Sequence, residues 1–177
     1  DFVKAGKLKP QVPTRFEGGG VTNLQGGNVN FATMVACTDE SVGKILATLK
    51  ALGYDKDTLV VLVGDNGAFS TISKRYAGKK SDIPPACALP FRAGKGWCYE
   101  GGVRVPYLVR VPGMANAGKT SDTPVWTADL YPTTLGLLGL DAPEGQCLDG
   151  VDIAPVVVAP DAKLNRSSPI VWFYPHA

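Results

Sequence analysis

TLVVLVGDNG, residues 58–67, is the stretch that decides the fold of this 177-residue chain. Five apolar residues run without alternation from position 59 to position 63, and glycines then flank Asp65 and Asn66. A short β-branched run bounded by turn residues predicts a strand that is buried on both faces, which is typical of a parallel sheet. In open α/β sheets, ligands bind at the carboxyl ends of strands. Asp65 and Asn66 therefore lie where a ligand is expected.

Asp65 and Asn66 have two interpretations at this point. Their side chains offer the hard oxygen ligands that Ca²⁺ or Mg²⁺ takes, provided that the chain bends so that both face one ion. Gly64 and Gly67 would allow such a bend. Asp-Asn and Asn-Gly are also ordinary turn-forming pairs, and a plain turn is the simpler interpretation of this stretch alone.

Length and composition predict a single globular domain. Hydrophobic residues make up 45% of the chain and charged residues 19%, which is typical of a folded domain rather than a disordered one. No apolar run approaches the roughly 18 residues of a membrane span. A zinc site is not indicated, because His176 is the single histidine and the cysteines lack metal-ligand spacing. Disulfides cannot be paired from sequence among the four cysteines, Cys37, Cys87, Cys98 and Cys147.

The net charge of +2 hides a basic segment. Residues 68–110 contain eight basic residues against two acidic ones, or +6, which leaves −4 for the rest of the chain. Such a segment favours anionic ligands, although the lysines of residues 74–80 are equally consistent with a solvated loop. Nucleic acid binding is not predicted, because no binding motif or interleaved aromatic pattern is present.

The order of elements predicts an α/β domain. Apolar residues recur at spacings of three and four from 31 to 52, which predicts an amphipathic helix with Asn30 as its N-cap and Gly53 at its end. Further elements are predicted as strands at 59–63, 107–111 and 169–174, a helix at 128–138 and a short turn or helical piece at 149–158. Residues 1–28 are predicted to be irregular, and residues 68–92 to form a long, poorly ordered loop.

Six blocks resemble the sulfatases, in the same order and with familiar spacing. They are MVACTDESVGKILATLKALG, TLVVLVGDNG, AGKGWCYEGGVRVPYLVRVPG, SDTPVWTADLYPTTLGLLGL, LDGVDIAPVV and VWFYPH. The resemblance implies a partial alkaline-phosphatase/sulfatase-like sandwich, with a mostly parallel or mixed sheet flanked by helices. It implies one partial domain over 1–177, in which residues 29–177 match the family and residues 1–28 are an irregular leading segment.

The resemblance also implies roles for individual residues. Asp65 and Asn66 match two ligands of the active-site cation, usually Ca²⁺, with Mg²⁺ as the alternative. Lys95 matches the lysine that contacts the substrate sulfate, a task suited to a compact charge with three donors. Four others are expected to be structural: Glu100 and Arg104 as a buried charge pair, Asp129 at a helix N-terminus, and His176.

Several parts of the family pattern are missing from the sequence. Sulfatases carry a Cys/Ser-x-Pro-x-Arg motif whose first residue becomes the formylglycine nucleophile, and Cys87-Ala-Leu-Pro-Phe-Arg has its proline one place too late. The early aspartate pair of the metal site and the family's other histidines are absent as well. The resemblance therefore implies a fragment of a sulfatase, whose nucleophile belongs to the preceding part, and this chain is predicted to be inactive by itself.

Other functions stay open on the sequence. A phosphate or phosphonate monoester hydrolase of the same superfamily would share the fold. A non-catalytic module that binds anions or self-associates is the alternative from another class. For the parent protein, the sulfatase of which this chain would be a fragment, the resemblance implies a sulfate ester substrate and a secreted or periplasmic location. It implies neither nucleic acid nor membrane as a partner. Half a sheet predicts exposed strand edges through which copies of the chain could associate.

Overall fold

The computed structural model describes residues 14–17, 20–73, 83–114 and 117–174. His176 and the basic residues of 74–80 fall outside these ranges. The helices and strands are β1 (Thr14–Glu17), β2 (Gly20–Asn23), α1 (Val29–Ala51), β3 (Val60–Val63), β4 (Thr71–Ser73), α2 (Glu100–Val103), β5 (Tyr107–Arg110), a 3₁₀ turn (Thr127–Asp129), α3 (Leu130–Leu138) and α4 (Ala154–Val158).

The described residues group into two compact units. The first draws on Asp1–Asp55, Leu62–Tyr107 and Trp172–Ala177, and the second on Lys56–Val61 and Leu108–Val171. One partial domain over the whole chain stays a prediction. None of the helices in the described part of the chain combines the length and apolarity needed to cross a bilayer.

An antiparallel sheet of three strands corrects two sequence predictions. β2 pairs with β1 on one side and with β4 on the other. The segment 1–28 is therefore not wholly irregular, and the loop 68–92 contains a strand. β1, β2 and β4 were missed because each has only three or four residues, too few to show a periodicity, and because β2 and β4 pair across about fifty positions. A hydroxyl hydrogen bond of 3.0 Å between Thr22 and Thr71 joins β2 to β4.

Helix α1 begins two residues earlier than predicted. Asn28, rather than Asn30, is the N-cap, and its side-chain oxygen accepts the Phe31 N–H at 2.9 Å, which satisfies one of the free amides of the first turn. The apolar stripe predicted from the spacing is present, but no residue of α1 is buried. Met34 is 67% exposed and Ile45 58%, because no other described element packs closely along this helix.

Strand β3 follows the predicted stretch, but it is not buried on both faces. It forms a two-stranded sheet with β5, and its residues are half-buried except Leu62, which is 44% exposed. In β5, Leu108 is 56% exposed. A continuous apolar run predicts burial only where other elements cover both faces, and the described elements leave these faces partly open.

In the second unit, the 3₁₀ turn and α3 lie close to the predicted helix 128–138. The Thr133 hydroxyl donates to the Asp129 carbonyl at 2.6 Å and accepts the Ile153 N–H at 2.9 Å, which attaches the start of α4 to α3. The predicted strand at 169–174 is wrong. Residues 169–174 are irregular, and a short apolar run by itself does not distinguish a strand from an irregular segment.

Asp129 is the polar centre of this unit. Its carboxylate is fully buried and accepts the N–H groups of Trp126 and Val151 at 3.0 and 2.9 Å. The Arg166 guanidinium binds both carboxylate oxygens, at 3.1 and 2.6 Å. The predicted position of Asp129 at a helix N-terminus is confirmed. Its arginine partner, 37 residues away, was not predicted.

Candidate active site

The end of β3 leads into a bend that carries Asp65 and Asn66. The Gly64 N–H donates to the Pro106 carbonyl at 3.0 Å, and the chain then bends at residues 65–67. Asp65 is exposed, and one of its carboxylate oxygens accepts the Asn66 N–H at 2.9 Å. The Asn66 amide nitrogen donates to the Gly67 carbonyl at 3.2 Å. This bond leaves the amide oxygen of Asn66 as the atom with which the side chain can bind a cation.

Lys95 lies in a loop of residues 92–102, the Lys95 loop, which is closed by hydrogen bonds between its own backbone groups. The Gly101 N–H donates to the Arg92 carbonyl at 2.9 Å, and the Trp97 N–H donates to the Gly94 carbonyl at 3.1 Å. The Arg92 guanidinium stacks 3.9 Å from the centre of the Tyr99 ring. The Lys95 side chain is exposed. The loop is thus held in one conformation while its lysine can reach a ligand in solution.

Two backbone hydrogen bonds join the bend to the Lys95 loop. The Gly67 N–H donates to the Gly102 carbonyl, and the Lys95 N–H donates to the Ala68 carbonyl, each at 2.8 Å. The contact at Gly67 leaves no space for a side chain, because a Cβ there would overlap the backbone of Gly101 and Gly102. The structure therefore brings together two sequence blocks that lie about thirty residues apart, all within the first unit.

Glu100 and Arg104 are paired as predicted, but they are not buried. Their side chains form an ion pair of 3.3 Å across the single turn of α2, and they are 62% and 57% exposed. Arg104 also lies over the Phe91 ring at 4.8 Å. A pair this exposed is screened by water and adds little to stability. The buried residues of α2 are Gly101 and Gly102, so Glu100 and Arg104 lie on its exposed side.

The charges around the bend and the Lys95 loop suit ligands of both signs. Among the described residues, no ion pair joins Asp65 to a cation or Lys95 to a carboxylate. A carboxylate and an amide oxygen are the donor types that Ca²⁺ and Mg²⁺ prefer, although Ca²⁺ takes six to eight oxygens. Residues 20–73, 83–114 and 117–174 contain no cluster of three metal-ligating carboxylate, histidine or cysteine side chains. The two donors are of the kind that a divalent cation takes, and they are fewer than such an ion takes in all.

The sequence did not indicate the residues that support this site. Ser70 is fully buried, and its hydroxyl donates to the Ala93 carbonyl at 2.7 Å. A lone serine just before a strand of three residues carries no motif, so no signal in the sequence could have singled it out. Cys87, which resembles a nucleophile motif, is a half-buried free thiol, and the other three cysteines are free and exposed.

Comparison with known proteins gives consistent matches. The Sulfatase family model matches residues 10–140. N-acetylgalactosamine-6-sulfatase of Rattus norvegicus is 35% identical over 137 residues, which are 77% of this chain and 24% of that protein. The crystal structure of Ps i-CgsB in complex with k-i-k-neocarrahexaose covers 72% of this chain and 26% of its own, with a TM-score of 0.60 and 38% identity.

A second solved structure agrees with the first. PsFucS1 sulfatase from Pseudoalteromonas sp. has a TM-score of 0.58 and 31% identity, and the match covers 72% of this chain and 24% of that one. The chain thus spans about a quarter of the length of each of these three proteins.

Proposed function

This chain belongs to the sulfatase family, and from that premise we propose that its first unit supplies part of a sulfuric ester hydrolase active site. In this proposal Asp65 and Asn66 are ligands of a divalent cation, and Lys95 contacts the sulfate group of the substrate. The formylglycine nucleophile comes from sequence outside these 177 residues. The family and the alkaline-phosphatase-like α/β fold class are those predicted from the sequence.

The observation that carries the proposal is the pair of backbone hydrogen bonds between the bend and the Lys95 loop. The bonds from Gly67 to Gly102 and from Lys95 to Ala68 place the two blocks side by side in one unit. A carboxylate and an ammonium group held on adjoining loops suit a cation and an anion that are bound together. A sulfate ester carries the anion, and a lysine stabilises the charge that develops on its oxygens during cleavage.

The proposed cation is Ca²⁺, with Mg²⁺ as the alternative, and Asp65 and Asn66 would hold it through oxygen atoms. When bound, such an ion supplies positive charge that polarises the sulfate oxygens. The chain's own residues do the rest of the positioning. The bond from the Asn66 amide nitrogen to the Gly67 carbonyl orients the amide, and the exposed Lys95 ammonium donates hydrogen bonds to the anion.

Substitution of Lys95 tests the sulfate contact. We expect Lys95→Ala to weaken binding of inorganic sulfate to this chain by about tenfold, since a charge-assisted hydrogen bond is lost. Isothermal titration at low ionic strength measures the affinity, because screening would mask a weak contact.

Lys119→Ala is the matched control for Lys95→Ala. Lys119 is an exposed lysine of the second unit, so the control removes the same charge from a different place. Equal losses in the two variants would mean that sulfate responds to net charge alone, and they would contradict the assignment of Lys95.

The chain by itself is proposed to be catalytically inactive. Hydrolysis by formylglycine needs a nucleophile that no residue here supplies. We expect incubation with an aryl sulfate such as 4-nitrophenyl sulfate, with Ca²⁺ present, to release product at the rate of the buffer blank. Turnover above the blank that disappears in Lys95→Ala would contradict this prediction and would place a nucleophile within the chain.

The same titration, repeated with inorganic phosphate, distinguishes a sulfate ester hydrolase from a phosphate ester hydrolase. A phosphate monoester hydrolase of this superfamily would need to bind a phosphate dianion, and tighter binding of phosphate than of sulfate would favour that alternative. The matched proteins include an N-acetylgalactosamine-6-sulfatase, a steryl-sulfatase of Rattus norvegicus and PsFucS1 sulfatase, so the matches themselves favour no one sulfate ester.

Location and association are proposed from the family and the exposed surfaces. We place the parent protein in a secreted or periplasmic compartment, as the family implies. The exposed apolar residues of α1 and of the β3–β5 sheet, such as Met34, Leu62 and Leu108, support association with another polypeptide or a second copy. Light scattering at high concentration tests self-association, and a strictly monomeric chain would argue against the second copy.

A further inference from the structure

We propose that Ser70 is a positioning residue for Lys95, through a hydroxyl that fixes the backbone immediately before the lysine. The proposal rests on the proposed role of Lys95 in binding sulfate. It adds a residue that touches neither sulfate nor cation, that no motif marks and that lies between the two sequence blocks of the site.

Ser70 holds the Lys95 loop through its hydroxyl, and the neighbouring Ala68 holds it through its carbonyl. The Ser70 hydroxyl donates to the Ala93 carbonyl at 2.7 Å. The Ser70 N–H and that of Lys95 both donate to the Ala68 carbonyl, at 2.8 Å each. The residues on either side of Gly94 are thus attached to the segment 68–70, and the bond between Ser70 and Ala93 is shielded from water, since Ser70 is 0% exposed and Ala93 1%.

The backbone held by Ser70 is in a conformation that residues with a side chain seldom adopt. Ala93 has a φ of +58°, in the left-handed region that a residue with a Cβ seldom adopts. Gly94 then packs so closely on the Ser70 hydroxyl and the Ala68 carbonyl that a Cβ would overlap both. Without the hydroxyl, Ala93 can relax toward an ordinary conformation and carry the next two residues with it.

Ser70 is itself anchored to the three-stranded sheet. Its carbonyl accepts the Asn23 N–H at 2.8 Å, at the end of β2. The Asn23 side chain donates to the Pro84 carbonyl at 2.8 Å, which attaches the segment that precedes the Lys95 loop to the same strand. The Ser70 hydroxyl therefore links the sheet to the backbone that precedes Lys95, and so fixes the position of the Lys95 Cα. Because a lysine side chain is flexible, the direction of its Cα–Cβ bond decides the region that the ammonium group samples.

The test is a double-mutant cycle on binding of inorganic sulfate to the 177-residue chain. We expect Ser70→Ala to weaken sulfate binding by about threefold to tenfold, in line with the loss of one buried hydrogen bond. In a Lys95→Ala background the same substitution should have no further effect, because Ser70 acts through Lys95. A purely structural role would give equal losses in both backgrounds.

Thr22→Val is the matched control. It removes another buried hydroxyl hydrogen bond of the same unit, the one to Thr71, without touching the Lys95 loop, and should leave sulfate affinity within about twofold of the unmodified chain. If Ser70→Ala fails to fold, Ser70→Cys replaces it in the cycle. The thiol is larger than the hydroxyl but is still a weak donor, and a loss that also vanishes without Lys95 is expected.

The outcomes separate this inference from the proposed function. If Lys95→Ala leaves sulfate affinity unchanged, the role of Lys95 fails whatever Ser70 does. If Lys95→Ala weakens binding but Ser70→Ala does not, or does so equally in the Lys95→Ala background, the positioning role of Ser70 is overturned and the sulfate contact stands.

Discussion

Asp129→Ala is expected to lower the free energy of unfolding by about 3–5 kcal/mol, the usual cost of removing one partner of a buried ion pair. The carboxylate is fully buried, and its loss leaves the Arg166 guanidinium, 13% exposed, without its partner. It also leaves the Trp126 and Val151 N–H groups without their acceptor. Urea unfolding measures the loss, and hydrogen exchange at the Val151 amide shows whether the opening begins there.

Asp141→Ala provides the control for this prediction. Asp141 is an exposed aspartate in the loop after α3, and its removal should change the free energy of unfolding by less than about 0.5 kcal/mol. If Asp129→Ala were as mild as this control, the buried pair with Arg166 would not be the polar centre of the second unit.

Gly67→Ala is expected to cost about 1–3 kcal/mol of stability, because the added Cβ would overlap backbone that cannot move aside. A Cβ at position 67 meets the Gly101 carbonyl oxygen and the Cα of Gly102. Relief of that overlap requires the bend to separate from the Lys95 loop, which breaks the hydrogen bond from Gly67 to Gly102. We therefore expect sulfate binding to weaken together with stability, as measured by titration and by urea unfolding.

Gly43→Ala is the matched substitution, and its expected effect on the free energy of unfolding has the opposite sign. Gly43 lies within α1, and nothing is within 4 Å of a Cβ built on it. Alanine there should stabilise the helix by about 0.5–1 kcal/mol, since glycine is a poor helix former, and should leave sulfate affinity unchanged. A Gly67→Ala variant as stable as the unmodified chain would mean that the bend and the Lys95 loop are not packed against each other.

The sequence predicted those features of the chain that local patterns encode. The 3.6-residue spacing located α1 and α3 to within about two residues. The apolar run located β3, and Asp65, Asn66 and Lys95 stood out because they belong to blocks that resemble one family. In each case the signal lies within a few neighbouring residues, so it can be recognised without knowledge of the fold.

Features that depend on distant partners could not be predicted. β2 and β4 pair across about fifty positions, Arg166 reaches Asp129 across 37, and Ser70 meets Ala93 across 23. None of these contacts leaves a periodicity or a motif in the sequence. The apolar pattern also could not tell which faces are covered, since the stripe of α1 and the faces of β3 are apolar yet partly exposed.

The central claim is that Asp65, Asn66 and Lys95 belong to one site. The most direct measurement is a nuclear magnetic resonance titration of the ¹⁵N-labelled chain with sodium sulfate in the presence of Ca²⁺, at constant ionic strength. We predict that the amides of residues 65–68 and 93–96 shift together with one apparent affinity, and that Lys95→Ala abolishes the shifts in both segments. Shifts spread over the exposed lysines, or confined to one segment and unchanged by Lys95→Ala, would contradict the claim.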